Sequence, residues 1–237
     1  MVQAVVFDWY GTLAQWSDGP ASNYESIFSA HGHRIAPDVF DRYQVRWDGV
    51  DHAEHSTSRE AYLAWTRSRL TELAHACGVP ERQWSTLVDA IVNLDSQGQM
   101  ATFPEALGVL AELRHRGVPV GVCSNWGWDL DAALESTGVA PFVDVPVTSA
   151  RAGCRTPHPA IYESTLSALG VTPAETIFVG DSWEPDVLGP IKAGMTSVHV
   201  CRDDTRSQPE LVAGAYRVTG LDQLFQLDLF AVGSGAS

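Results

Sequence analysis

A short apolar run that stops abruptly at an acid most constrains what this chain can fold into. Residues 2–13 read Val-Gln-Ala-Val-Val-Phe-Asp-Trp-Tyr-Gly-Thr-Leu, with Asp8 closing the run and Gly11 and Thr12 just behind it. The run is brief and rich in Val, which suits a buried strand better than a helix. Asp8 then stands where that strand leaves its sheet. Open α/β sheets bind ligands at the carboxyl ends of their strands, so a carboxylate there is a candidate nucleophile or metal ligand. The same residues also describe a plain turn, and the rest of the chain decides between the two.

From about residue 100 helical and extended patterns alternate. Pro104–Gly117, Asp129–Thr137, Pro159–Leu169, Pro185–Ala193 and Leu221–Phe230 read as helices, several closed by a Gly stop. Val118–Cys123, Phe142–Val147, Thr176–Val179, Ser197–Val200 and Tyr216–Val218 read as extended. Such alternation predicts a parallel sheet covered by helices on both faces. Residues 14–99 differ: aromatic and aliphatic residues recur at three- and four-residue spacing, as in Trp84, Leu87, Val88 and Ile91. The expected organisation is a Rossmann-like α/β core from residues 1–13 and 100–237, interrupted by a helical cap over 14–99. The small residues Gly233–Ser237 are expected to be disordered.

Composition narrows the partners. The 237 residues carry a net charge of −14 and are 45% hydrophobic. That balance supports a large core and argues against nucleic acid or an anionic membrane as a partner. The four cysteines, Cys77, Cys123, Cys154 and Cys201, match no zinc spacing. With no signal peptide and no long apolar span, the expectation is a soluble cytoplasmic monomer or homodimer with free thiols, acting on a small molecule.

Three strand ends then converge: Asp8, Ser124-Asn125, and Gly180-Asp181-Ser182 with Asp186 five residues beyond Asp181. Parallel strands put these ends on one edge of the sheet. Carboxylates gathered there repel unless a cation neutralises them, and a hard divalent ion such as Mg²⁺ does so while leaving sites open for a phosphate.

These stretches resemble the first, second and fourth motifs of the haloacid dehalogenase superfamily, and Ser149–Tyr162 resembles its third. The resemblance covers essentially the whole chain, including the position of the cap. It implies a nucleophilic Asp8 that forms a covalent aspartyl intermediate. It implies Mg²⁺ held by Asp8, the backbone carbonyl of Tyr10, Asp181 and Asp186, with Ser124 on the phosphate. Thr12, Asn125, Trp126 and His158 are candidate substrate contacts.

Two positions depart from the family's phosphatases. Their second Asp, the general acid two residues after the nucleophile, is replaced by Tyr10, a phenol with an ordinary pKa near 10. Their motif-three Lys falls on Thr156, because Lys192 is the only lysine. Arg155 or Arg151 are the candidates to supply that charge, although Arg and Lys differ in geometry. Tyr10 is what the metal-free dehalogenase branch carries, whose early-cap Arg that cradles halide could here be Arg42 or Arg46, although both also read as residues of a solvated helix face. Against that branch, Asp181 and Trp183 stand where it tends to have Ser and Asn. The missing cap lysine excludes a phosphonoacetaldehyde hydrolase, whose Schiff base needs a primary amine. Three readings remain: a metal-dependent hydrolase of a small phosphorylated metabolite, a 2-haloacid dehalogenase, and a weakly active binding member. Trp9, Trp16, Trp126, Trp128 and Trp183 flank the motif loops and suit either an aromatic pocket or packing between cap and sheet. The pairs His31–His33 and His52–His55 read as cap surface or loop residues, and Cys123 as an inert buried thiol.

Overall fold

A computed structural model describes residues 2–17, 24–97, 99–203 and 208–230; the tail at 233–237 lies outside them. Its centre is a six-stranded sheet of β1 (Ala4–Phe7), β4 (Val120–Ser124), β5 (Val145–Thr148), β6 (Thr176–Gly180), β7 (Thr196–Val200) and β8 (Ala215–Val218). The spatial order is β5-β4-β1-β6-β7-β8, and every pairing is parallel. β1 is therefore central, with β4 on one side and β6 on the other. Strand order reverses there, which makes the crevice above β1 the expected ligand site of such a sheet. Pro146 lies on β5, an edge strand, where a missing N–H is tolerated.

Alternation along β1 explains its burial. Val5 and Phe7 join one apolar cluster, with Leu110, Leu113, Leu130 and Leu221. Val6 faces the opposite side, with Ile161, Tyr162 and Phe178. Helices cover both faces: α5 (Ala106–His115) and α6 (Leu130–Ser136) on the first, and α8 (Pro159–Leu169) on the second. The short α7 (Ser149–Ala152) and α9 (Gly189–Lys192) complete the sheet's connections.

Between the first strand and the rest, the described residues form four α-helices: α1 (Tyr24–Ala30), α2 (Pro37–Trp47), α3 (Arg59–Ala76) and α4 (Glu81–Gln97). They have an apolar core of their own, built on Phe28, Leu70, Leu73, Leu87 and Ile91. α3 starts at Ser58, whose hydroxyl accepts from the Ala61 N–H at 3.2 Å. Among the described residues no helix is long and apolar enough to cross a membrane.

Three elements differ from the sequence reading. The chain enters and leaves the helical unit through a two-stranded antiparallel ribbon, β2 (Ala14–Trp16) against β3 (Met100–Thr102). Three-residue strands carry too little periodicity to be read. The helix expected over 185–193 begins as a π-helical turn, Trp183–Leu188, before α9. The last helix is replaced by two 3₁₀ turns, Leu221–Gln226 and Asp228–Phe230, whose apolar residues still pack inward at Leu221 and Leu224.

The helical unit sits directly on the core. Residues 49–52 lace onto the motif-three segment: Gly49 N–H donates to Thr156 O at 3.1 Å, His52 N–H to Gly153 O at 2.6 Å, and Arg155 N–H to Val50 O at 3.0 Å. Arg59 holds the Asp129 carboxylate through Nε (3.1 and 3.0 Å) and a second nitrogen (2.5 Å).

Candidate active site

The strand register brings the three ends together. Phe7 pairs with Val122 on one side and Val179 on the other, so Asp8, Ser124 and Gly180-Asp181 emerge side by side. One carboxylate oxygen each from Asp8, Asp181 and Asp186 lie within 4.8 Å of one another. Asp8 is 9% exposed, Asp186 3% and Ser124 3%. All three acids, with Ser124, Asn125 and Tyr10, line a cavity of about 930 Å³ between the sheet edge and the helical unit.

Burying three acids together shifts their ionisation. Asp8 is pushed up to about 8, first by burial and then by the charge of Asp181, against hydrogen bonds from Ser124, the Trp9 N–H and Thr12. Asp181 is pushed up to about 6, again mainly by burial, with its own backbone and Arg202 holding it down. Asp186 rises well above the usual carboxylate range, through burial and then the charges of Asp8 and Asp181. A divalent cation would remove this conflict, and a set of three hard oxygen donors fits one.

Two glycines make the cluster possible. Gly11 turns at φ +86°, and a Cβ there would fall well inside 3.0 Å of the Asp181 carboxylate. A Cβ on Gly180 would overlap Asp186 in the same way. Gly11→Ala is therefore expected to leave a folded protein, with Tm lower by a few degrees through left-handed strain. Its kcat should fall at least about tenfold as Asp181 moves, given how sensitive catalysis is to position. Steady-state kinetics beside a melting curve checks this, and an unchanged kcat would refute the role assigned to the close contact.

Several side chains sit elsewhere than the sequence reading had them. Thr12 is fully buried and donates to Asp8 Oδ2 at 3.5 Å, so it steadies the carboxylate and has no surface for a substrate. His158 caps α8, its Nδ1 accepting from the Ala160 N–H at 3.3 Å, and it is not among the residues lining the cavity. Asn125 lines the cavity, but its amide is committed to Thr156: Oδ1 accepts from the N–H at 2.9 Å and Nδ2 donates to the carbonyl at 3.3 Å. Trp126 lines the wall, with its ring 5.8 Å from Trp16. Tyr10 is 43% exposed there, and burial together with the charge of Asp181 raises its phenol.

Among the described residues neither motif-three arginine forms an ion pair with Asp8, Asp181 or Asp186. Arg151 is ion-paired to Asp131 and donates to Trp128 O. Arg155 shares its surroundings with Tyr24, Asp48, Tyr62 and Arg69, and is not among the main influences on Asp8. The dehalogenase-type cradle candidates are also occupied, Arg42 by Asp38 and Arg46 by Glu72, on exposed helix surface.

A haloacid dehalogenase-like hydrolase family model matches residues 2–194. The chain belongs to that family. Membership makes it a hydrolase. A curated phosphoserine phosphatase of Thermus thermophilus is 33% identical over 176 residues, 70% of each chain. Two solved structures share the fold. An L-2-haloacid dehalogenase from Xanthobacter autotrophicus has a TM-score of 0.69 at 23% identity, covering 98% of this chain and 100% of its own. A family phosphatase from Thermococcus onnurineus has a TM-score of 0.59 at 22% identity, covering 95% and 97%.

Sequence reasoning missed two supports of this hydrolase site. Arg202, just beyond β7, donates to Thr12 O at 2.9 Å and Gly11 O at 3.4 Å, and pairs with Glu105 at 2.5 Å. It clamps the loop carrying Asp8 and is the cation nearest in effect to Asp181. His199 lies 3.0 Å from Asp181 O through Nε2, and Arg217 Nε donates to its Nδ1 at 3.3 Å. That second bond makes Nδ1 an acceptor, so Nε2 carries the proton and donates to Asp181. No short motif marks either residue; only the sheet order brings β7 beside β6.

Proposed function

We propose that this hydrolase is a metal-dependent phosphatase of a small phosphorylated metabolite, with Asp8 as nucleophile. The observation that carries the reading is the cluster of Asp8, Asp181 and Asp186, three ligand oxygens within 4.8 Å. Asp8, Asp181, Asp186 and the Tyr10 carbonyl would hold Mg²⁺, which supplies charge neutralisation at the phosphoryl oxygens. The relative named for phosphoserine adds support from sequence.

In this reading Asp8 attacks phosphorus, the bond to the leaving oxygen breaks, and an aspartyl-phosphate forms. The Ser124 hydroxyl holds a phosphoryl oxygen, and water then attacks phosphorus to release phosphate and restore Asp8. The leaving oxygen needs a proton, and Tyr10 is a weak donor because its phenol is shifted upward. Good leaving groups are accordingly favoured, since general acid assistance is worth about 10²–10⁴-fold. The free thiols suit a reducing compartment such as the cytoplasm.

The dehalogenase reading keeps one point in its favour, the Tyr10 phenol standing in the cavity where phosphatases carry an acid. A screen of phosphate esters and 2-haloacids, each with Mg²⁺ and with chelator, separates the two. Phosphate release that chelator abolishes is expected. Halide release that ignores chelator would replace the phosphatase reading.

A further inference from the structure

The wall of the cavity formed by α3 is built differently from the acidic end. Arg59, Tyr62, Thr66 and Arg69 follow one another at three- and four-residue spacing, so one face of α3 looks into the cavity. Arg69 is only 7% exposed, and its buried Nε has no partner. Its guanidinium lies 4.0 Å above the Trp65 ring and 5.2 Å from Trp47, which fixes its plane. Thr66, 8% exposed, also leaves its hydroxyl without a partner. Across from them Arg155 lines the same cavity, and its buried Nε is again unpartnered.

Buried donors are ordinarily satisfied, and buried charges are ordinarily paired. Here two guanidiniums of like sign face one cavity, and among the described residues neither forms an ion pair. This occurs in a chain with net charge −14, where acids to pair with are plentiful. The carboxylate that acts on Arg155 is Asp48, whose own carboxyl is raised by burial. His52 adds no charge at neutral pH: burial first, then Arg155 and Arg69, pull it down to about 4.

We infer that Arg69, Arg155 and Thr66 form a carboxylate subsite, and that the substrate carries a carboxylate at the end remote from the reacting group. With Asp48 offsetting part of the charge of the two arginines, the remainder matches a monoanion better than a phosphate dianion. A carboxylate also accepts from a guanidinium through both oxygens. The phosphate at the other end of the substrate rests on the phosphatase reading; the subsite itself does not.

The test uses binding, with no turnover needed. Chelator removes any cation at the Asp cluster that could recruit an anion there, so added anions report on the arginine wall. Wild-type protein is titrated with succinate while tryptophan fluorescence is followed, because Trp47 and Trp65 stack on Arg69. A saturable response is expected, weakened at least tenfold in Arg155→Gln and reduced in Thr66→Val, with circular dichroism confirming both folds. Succinamide, the neutral analogue, should give none. An absent wild-type response, equal affinity in Arg155→Gln, or an equal response to succinamide would each overturn the subsite. Inorganic phosphate binding tenfold more tightly than succinate would overturn the choice of carboxylate. Failure of the wild-type protein to release phosphate from any ester would refute the phosphatase reading and leave this titration standing.

Discussion

Asp8→Asn is expected to remove turnover, by about 10³-fold or more, the scale on which loss of a nucleophile slows covalent enzymes. The amide keeps the size and most contacts of the carboxylate but is a far poorer nucleophile. The fold should survive, because Asp8 is a burden to it. Burial and Asp181 push its pKa up to about 8, so its charged form is disfavoured where it stands. Removing that charge also leaves Thr12 able to donate to the remaining carbonyl oxygen. Single-turnover assays with a labelled phosphate ester, beside a thermal melt, decide the matter. Wild-type turnover in Asp8→Asn would end the nucleophile assignment; loss of turnover together with unfolding would leave fold damage as the cause.

A second large effect concerns the acids as a group. Burial pushes Asp8 up to about 8 and Asp181 up to about 6, against 3.8 for the unperturbed carboxyl. Between those values the folded state binds protons that the unfolded state has released, so stability falls as pH rises from about 4 to about 8. In chelator the melting temperature should decline across that window and level off above it. Mg²⁺ at pH 8 should restore it, because a ligand bound only by the folded state stabilises that state. Asp181→Asn should raise the melting temperature in chelator at pH 8, flatten the decline and abolish most of the Mg²⁺ response. Activity should fall about 10²-fold or more, the scale set by losing an electrostatic contact to the transition state. A stability profile independent of pH, or an Mg²⁺ response undiminished in Asp181→Asn, would contradict the cluster as a cation site.

Much of this was legible because strong local patterns decide it. The Val-rich run into Asp8 and the helix–strand alternation after residue 100 specify a parallel sheet. Sheet ends then specify which residues share an edge. What stayed hidden depends on long-range pairing or on competition within short segments. Three-residue β2 and β3 have no period of their own and exist through each other. Leu221–Phe230 has helical spacing, yet it satisfies its apolar residues in two 3₁₀ turns. Thr12 and His158 have the right chemistry for substrate contact, and local hydrogen bonds claim both. Arg69 and Arg202 carry no motif; only the folded chain reveals one lining the cavity and the other clamping the Asp8 loop. Arg155 stands out by its place in motif three, yet its guanidinium is surrounded by Tyr24, Asp48, Tyr62 and Arg69 of the helical unit.

The ribbon that joins the two halves has a consequence for how such a chain can vary. Ala14 faces Thr102 and Trp16 faces Met100, so the chain departs from the sheet and returns to it at neighbouring points. Whatever lies between begins and ends at the same doorway, and the strand order beneath is indifferent to its length. Closing a longer or shorter excursion there changes the chain-entropy term only slowly. Recombination at that doorway would exchange Thr66 and Arg69 while Arg155, Asp8, Asp181 and Asp186 stayed where they are, so one half of the cavity could vary over a fixed other half.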